Sequence, residues 1–247
     1  MEPAPSAHAA RREAIFAGAY FAALLAYLFY HPESEMEHWL SLVLVPLVRL
    51  WLVRGRRGIR DLLGSLGLER GRLLKGLAWP IGLGLLLQGV QFLNASNREA
   101  LAEIFARPYG WIFPLVALPL LMITVGPTEE VFFRGILQRR FTDAAEIAEG
   151  AGGRSAWRAH AWGIGLATLA FVLYHVPYAY LNPHWPSAGN LPHAFWLATV
   201  NGTLGGVILG LVYVKSGRNL MSVILLHAMV DWVPGTIMVS QVKFGGG

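Results

Sequence analysis

The sequence predicts an all-α fold, a polytopic membrane helix bundle of about seven transmembrane helices with its N-terminus in the cytoplasm. Three observations carry this. Of 247 residues, 55% are hydrophobic and 14% charged, whereas a soluble domain carries about 25% charge. The apolar residues gather into runs of roughly bilayer length, where helices satisfy their own backbone polar groups. Basic residues fall on alternate connecting segments. This composition excludes disorder, a coiled coil and a secreted miniprotein. The chain has no cysteine, which excludes disulfides, thiolate zinc sites, iron–sulfur clusters and cysteine nucleophiles together.

Seven apolar stretches can be marked, at about 14–30, 38–53, 74–93, 109–127, 160–181, 193–214 and 219–240. The first follows Arg11 and Arg12 and has the length of a signal peptide. No small-residue cleavage site precedes the acidic run Glu33, Glu35, Glu37, so it reads as a retained span. The second contains Arg49 close enough to its end for the guanidinium to snorkel to the interface. Between spans three and four, the segment 94–107 carries a short amphipathic pattern (Leu101, Ile104, Phe105) suited to the outer leaflet. Within it, Asn94-Ala95-Ser96 matches a glycosylation acceptor.

Orientation follows from Lys and Arg, because positive charge resists translocation. Sixteen of the twenty basic residues lie in segments that alternate onto one side: Arg11 and Arg12; Arg54, Arg56, Arg57, Arg60, Arg70, Arg72 and Lys75; Arg134, Arg139, Arg140, Arg154 and Arg158; Lys215 and Arg218. Three lie opposite, Arg98, Arg107 and Lys243, and Arg49 falls within span two. The asymmetry places the N-terminus in the cytoplasm. It also accounts for the net charge of +5 without nucleic acid as a partner. Only Lys75, Lys215 and Lys243 are lysine, a bias that points to a GC-rich bacterial coding sequence and so to the bacterial inner membrane.

Ionisable groups at membrane depth are costly and are functional candidates by default. They occur in Gly126-Pro127-Thr128-Glu129-Glu130-Val131-Phe132-Phe133-Arg134-Gly135 at the end of span four, at His175 in span five, and at His227 and Asp231 in span seven. Counting ~1.5 Å per helical residue from the cytoplasmic face, Glu129 lies ~15 Å from Arg139, His175 ~18 Å from Gly163 and His227 ~13 Å from Arg218. Three distant segments thus reach one depth near the middle of a ~30 Å core. Glu130 and Arg134, at i and i+4, meet as an ion pair. Glu129 points ~100° away and keeps a carboxylate outside that pair, as general acid–base work requires. Gly126-Pro127 interrupts the helix just before the glutamates, and broken backbone at depth lines cavities. His227 and Asp231 share one face, so the carboxylate can orient the ring and fix its tautomer. Tyr174, Trp232, Phe132 and Phe133 read as packing residues, and His31, His38, His160, His184 and His193 as solvated residues flanking loops.

Glu129-Glu130-x-x-x-Arg134, then Phe171-x-x-x-His175, then His227-x-x-x-Asp231 resemble, in order, the three motifs of the CAAX protease and bacteriocin-processing (CPBP, or Abi) family of intramembrane proteases. Pro127 and Phe133-Arg134-Gly135-x-Leu137 also resemble the surroundings of that family's first motif. The resemblance covers about residues 109–240 and leaves spans one to three unmatched. It implies a glutamic-type endopeptidase that cleaves a peptide or membrane-protein tail inside the bilayer, in C-terminal processing, sorting or bacteriocin maturation. By the same resemblance Glu129 activates water as general base with help from His175, His227 and Asp231 stabilise the oxyanion, and Glu130 and Arg134 hold the motif helix. Many relatives have Asn where this chain has Asp231. An ionised carboxylate would repel an oxyanion, so Asp231 is expected to orient His227 instead. No cofactor is expected. The alternative is a zinc metalloprotease with Glu129, His175 and His227 as ligands around an open position, although His-Glu-x-x-His is absent.

A single membrane domain over 1–247 is expected, with less characteristic N-terminal spans in 1–108 and the catalytic core in 109–240. A reading of another class is a transporter or bacteriocin-immunity protein that uses the same polar cavity without proteolysis. The lack of inverted repeats and the three ordered motifs weigh against it.

Overall fold

The structure, a computed structural model, describes residues 7–31, 38–65, 70–149, 154–183 and 185–241. The acidic run Glu33, Glu35, Glu37, His184 and Lys243 lie outside the described residues. Every regular element among those described is helical. In chain order these are α1 (Ala7–Leu28), a π-helical turn π1 (Trp39–Leu44) leading into α2 (Val45–Ser65), α3 (Arg70–Leu93), α4 (Ala95–Ala106), α5 (Ile112–Ile123), α6 (Val125–Glu130), a second π-helical stretch π2 (Val131–Gln138), α7 (Arg139–Glu149), α8 (Arg154–Leu181), α9 (Leu191–Lys215), α10 (Leu220–Val230) and α11 (Trp232–Gln241). Asn94, Asn190 and Asn219 cap α4, α9 and α10 by accepting from backbone N–H groups of the first turn. Asn94 is thus occupied as a cap.

Among the described residues, four stretches are long and apolar enough to cross a membrane: Gly76–Leu93, Ile112–Ala148, Ala156–Leu181 and Leu191–Lys215. A fifth forms if α10 and α11, bent by 59° at Asp231, are one broken span. These correspond to the expected spans three to seven. The first two expected spans fall short of that standard. Trp39–Val53 is a shorter apolar helix, and α1 carries Arg11, Arg12 and Glu13 in its first half. Nor does Arg49 snorkel. Its Nη1 and Nη2 donate to both carboxylate oxygens of Glu13 at 2.8 and 3.0 Å, and the guanidinium lies 3.6 Å over the Phe16 ring. A bidentate partner on the neighbouring helix outcompetes the interface. The basic segment after span two, expected as a loop, continues as helix to Ser65 with a kink at Gly55, where φ is +60°. The pattern at Leu101 and Ile104 is also turned inward: both are buried against Val233 of α11, while Phe105 stays exposed.

The core centres on π2. Phe132 and Phe133 pack edge-on to each other, with Phe21 of α1 and Phe171 and Tyr174 of α8 around them. Two helix pairs then position the rest. On α9, Gly202, Gly206 and Gly210 form a stripe at i, i+4, i+8 against Val172, Thr168 and Ile164 of α8. Small residues let backbones approach in a membrane, and here they also uncover carbonyls. Arg134 Nη2 donates to the Gly206 carbonyl at 3.3 Å and Gln138 Nε2 to that of Gly210 at 3.1 Å, so π2 docks on the same stripe. Helix α3 lies parallel to α10, with Gly76 against Asn219 and Ser222, Gly84 against Met229, and Ser222 Oγ donating to the Gly76 carbonyl at 2.7 Å.

The two neighbouring glycines of α9 provide a paired test. A Cβ on Gly206 would lie 2.7 Å from Thr168 Cγ2, whereas one on Gly205 meets nothing within 4 Å. Gly206→Ala should destabilise the protein by about 1–3 kcal/mol through overpacking. Gly205→Ala should be neutral or stabilising by up to about 1 kcal/mol from helix propensity. Thermal unfolding of the two purified variants against the parent checks the opposite signs.

Candidate functional site

The local fold around the glutamates begins at Thr124, whose backbone (φ −110°, ψ −93°) ends α5 and starts α6. The break therefore comes two residues before the Gly126-Pro127 pair expected to make it. Pro127 sits in the first turn of α6, where a missing N–H has no intrahelical partner to lose. Thr128 Oγ1 bonds back to the carbonyls of Thr124 and Val125 and ties the new turn to the break. Gly126 allows α6 to approach Ile224 of α10, since a Cβ there would lie 3.2 Å from Ile224 Cγ2. Glu129 and Glu130 close α6, and the chain widens at once into π2. Such π-helical stretches occur frequently at functional sites.

The side chains placed at one depth by counting are brought together. Glu129 Oε1 lies 3.9 Å from His175 Nε2 and Oε2 lies 3.8 Å from His227 Nε2, so the first carboxylate stands between two imidazoles from α8 and α10. Glu130 Oε2 pairs with Arg134 Nε at 3.3 Å, as the i, i+4 spacing requires. The sequence did not show its second bond. Glu130 Oε1 accepts from His227 Nδ1 at 2.7 Å, closer than any other charged group to that ring. Asp231 Oδ2 stands 3.3 Å from His227 Nε2. One imidazole thus has a carboxylate at each nitrogen, with Glu129 beyond Asp231.

Tautomers follow from these partners. His175 Nδ1 lies 2.8 Å from the carbonyl oxygen of Phe171. A carbonyl only accepts, so Nδ1 carries the proton, and in the neutral ring Nε2 presents its lone pair toward Glu129. The Phe171 ring fills the centre: its centroid is 4.5 Å from that of His175 and 6.1 Å from that of His227, and the Arg134 guanidinium lies 4.9 Å over it. Phe132, Phe133 and Tyr174 belong to the core, as expected, and the Trp232 indole donates to the Pro114 carbonyl at 2.7 Å.

Burial gives the site a closed and an open side. Glu130 and Arg134 are 0% and 1% exposed, whereas the side chains of His175 and Asp231 are 29% and 34% exposed. Glu129 and His227 lie between. No three His, Asp or Glu side chains among the described residues are disposed to share a metal ion. Of the histidines expected to be solvated, His160 instead faces Glu146 at 3.8 Å, and His31 stacks on Tyr27.

Two kinds of residue escaped the sequence reading. The glycine stripe of α9 was legible as repeated small residues four apart. Gln88 and Gln91, the two amides of α3, donate to the carbonyls of Met229 and Val230 at the broken end of α10; amides inside an apolar span were the available signal.

Residues 111–233 match the family model described as Type II CAAX prenyl endopeptidase Rce1-like. No curated protein and no solved structure matches the chain.

The two glutamates should respond unequally to substitution. Glu130→Ala leaves the buried Arg134 guanidinium without a counter-charge and should cost about 3–5 kcal/mol. Glu129→Gln, whose Oε2 is buried without a hydrogen-bond partner, should change stability by less than about 1 kcal/mol. Thermal denaturation of both variants separates the structural carboxylate from the one held for another purpose.

Proposed function

We propose, from the premise that the chain belongs through residues 111–233 to the CAAX protease and bacteriocin-processing family of intramembrane endopeptidases, that it hydrolyses a peptide bond near the end of a peptide or membrane-protein tail with water activated by Glu129. The single observation that supports this most is the placement of Glu129 between His175 Nε2 and His227 Nε2 at 3.9 and 3.8 Å. These separations are too long for direct hydrogen bonds, so neither imidazole occupies the carboxylate, which stays available to a small reactant.

In this reading Glu129, with His175 Nε2 as a second acceptor, takes a proton from water while the oxygen adds to the scissile carbonyl carbon. The same proton then passes to the departing amine as the C–N bond breaks. His227 gives its Nδ1 proton to a hydrogen bond with Glu130, and in the doubly protonated ring Nε2–H is the donor for the oxyanion. Asp231 Oδ2, 3.3 Å from that nitrogen, orients the ring, and the Nε2–H hydrogen bond is passed from it to the oxyanion as that charge develops. Arg134 and Glu130 form the rigid back of the site. The exposed edges of His175 and Asp231 mark the side from which substrate and water enter. The matched family is one of CAAX prenyl endopeptidases, so a prenylated CAAX tail is the first substrate to try.

Seven spans with a cytoplasmic N-terminus, in a bacterial inner membrane, complete the proposal. The Glu13–Arg49 pair supports the first two crossings, because bidentate pairing cancels the charge that each helix would otherwise bring alone. Reporter fusions should read cytoplasmic within 215–218 and external after Gln241; a cytoplasmic signal after Gln241 would defeat the topology.

Glu129→Gln and His175→Ala should each abolish cleavage of a farnesylated CAAX reporter in cells at unchanged protein level, and processing that persists in both variants would remove the protease reading. Asp231→Asn keeps an oxygen that can accept from His227 and should retain cleavage within about tenfold, while Asp231→Ala should lose more. Equal loss in both would refute an orienting role. The reading is metal-independent, and its competitor is a zinc site of Glu129, His175 and His227. Stoichiometric metal in the purified protein together with loss of activity on chelation would decide for the competitor.

A further inference from the structure

The stretch Gly76–Leu93 of α3 is apolar enough to span a membrane and contains two amides, Gln88 and Gln91. Neither belongs to the segment that matches the family model, which begins at residue 111. Both point at one feature. Gln88 Nε2 donates to the carbonyl of Met229 and Gln91 Nε2 to that of Val230, the last two residues of α10 before the 59° bend. A helix end leaves carbonyls without intrahelical partners. In an apolar interior such groups must be satisfied from elsewhere, and irregular backbone persists only where they are. Helix α3 is held in register to do this, with Gly76 against Ser222 and Gly84 against the Met229 side chain. Asp231, the residue at the break, stands 3.3 Å from His227 Nε2 one turn earlier.

We infer that Gln88 and Gln91 are positioning residues of the site, bracing the broken end of α10 so that Asp231 is kept against His227. The inference rests on the reading of these two residues as part of the hydrolytic site. Without the two donors the Val230 carbonyl loses its side-chain partner and the Met229 carbonyl keeps only the Asp231 N–H. The end of α10 is then held less firmly, and with it the carboxylate that faces the imidazole. The brace acts on the aim of His227 and leaves the open side of the site intact, so it bears on turnover more than on substrate binding.

The test uses the full chain reconstituted in lipid nanodiscs, with Gln88→Leu and Gln91→Leu combined, and Gln91→Leu alone should the double variant fail to fold. Backbone hydrogen exchange over residues 228–236 should quicken about tenfold in the double variant from the two lost hydrogen bonds. On a quenched farnesylated CAAX peptide, kcat should fall about 10- to 100-fold with KM changed less than about threefold. Gln88→Glu, whose protonated carboxyl can donate where an ionised one cannot, should recover kcat as pH falls, and Gln88→Leu should not. Unchanged exchange, or unchanged kcat beside faster exchange, overturns the inference. Faster exchange with a parent chain that leaves the peptide intact supports the brace and counts against the protease reading on which its catalytic consequence rests.

Discussion

A guanidinium that is 1% exposed must be answered by charge and hydrogen bonds from inside the protein, and the position of Arg134 dictates much of what surrounds it. Glu130 supplies the charge and the Gly206 carbonyl an acceptor. For that carbonyl to be within reach, α9 must present bare backbone, which its glycines do. Glu130 is itself 0% exposed, so its other oxygen needs a donor too, and His227 Nδ1 is that donor. One buried cation therefore joins α6, π2, α9 and α10, and it fixes the ring whose opposite nitrogen faces the open side. Removing a partner from such a set is far costlier than never having built it, so the set is rigid once formed.

The candidate site was unusually legible because charge at membrane depth is rare, and counting residues from the cytoplasmic end of each span is a usable ruler in a helical chain. That ruler gave Glu129, His175 and His227 a common depth, and the i, i+4 rule gave the Glu130–Arg134 and His227–Asp231 pairs. What it did not give was lateral arrangement. Helical spacing compares residues on one helix, so the bond from Glu130 to His227, between residues 97 apart, had no local signature. The same limit hid Gln88 and Gln91, whose partners are backbone carbonyls and leave no trace in side-chain chemistry.

Of the fold, the all-helical class and the positions of four later spans, five if α10 and α11 are one broken span, followed from apolar length. The first two expected spans fall short on different grounds: Trp39–Val53 is short, and α1 carries Arg11, Arg12 and Glu13. Hydropathy scores each helix alone and does not register that Glu13 and Arg49 pair across two helices. Snorkelling was the natural expectation for Arg49 only in the absence of an acid on the facing helix. The amphipathic segment after Asn94 misled in a similar way, because one apolar face suits a protein neighbour as well as a lipid surface, and Leu101 and Ile104 found α11.

The π-helical stretch Val131–Gln138 ties chemistry to arithmetic. A π turn holds one residue more than an α turn of similar length, and this one lies between Glu129 and Glu130 at one end and the Gln138–Gly210 anchor at the other. Deleting a single residue from the stretch would leave an ordinary α turn of similar length, so the two ends would keep their angle, while the side chains between the deletion and one end would be turned by ~100° about the axis. Substitutions here can be absorbed by packing, whereas a one-residue deletion is a phase error. The length of this segment is accordingly under tighter constraint than the identity of several side chains within it.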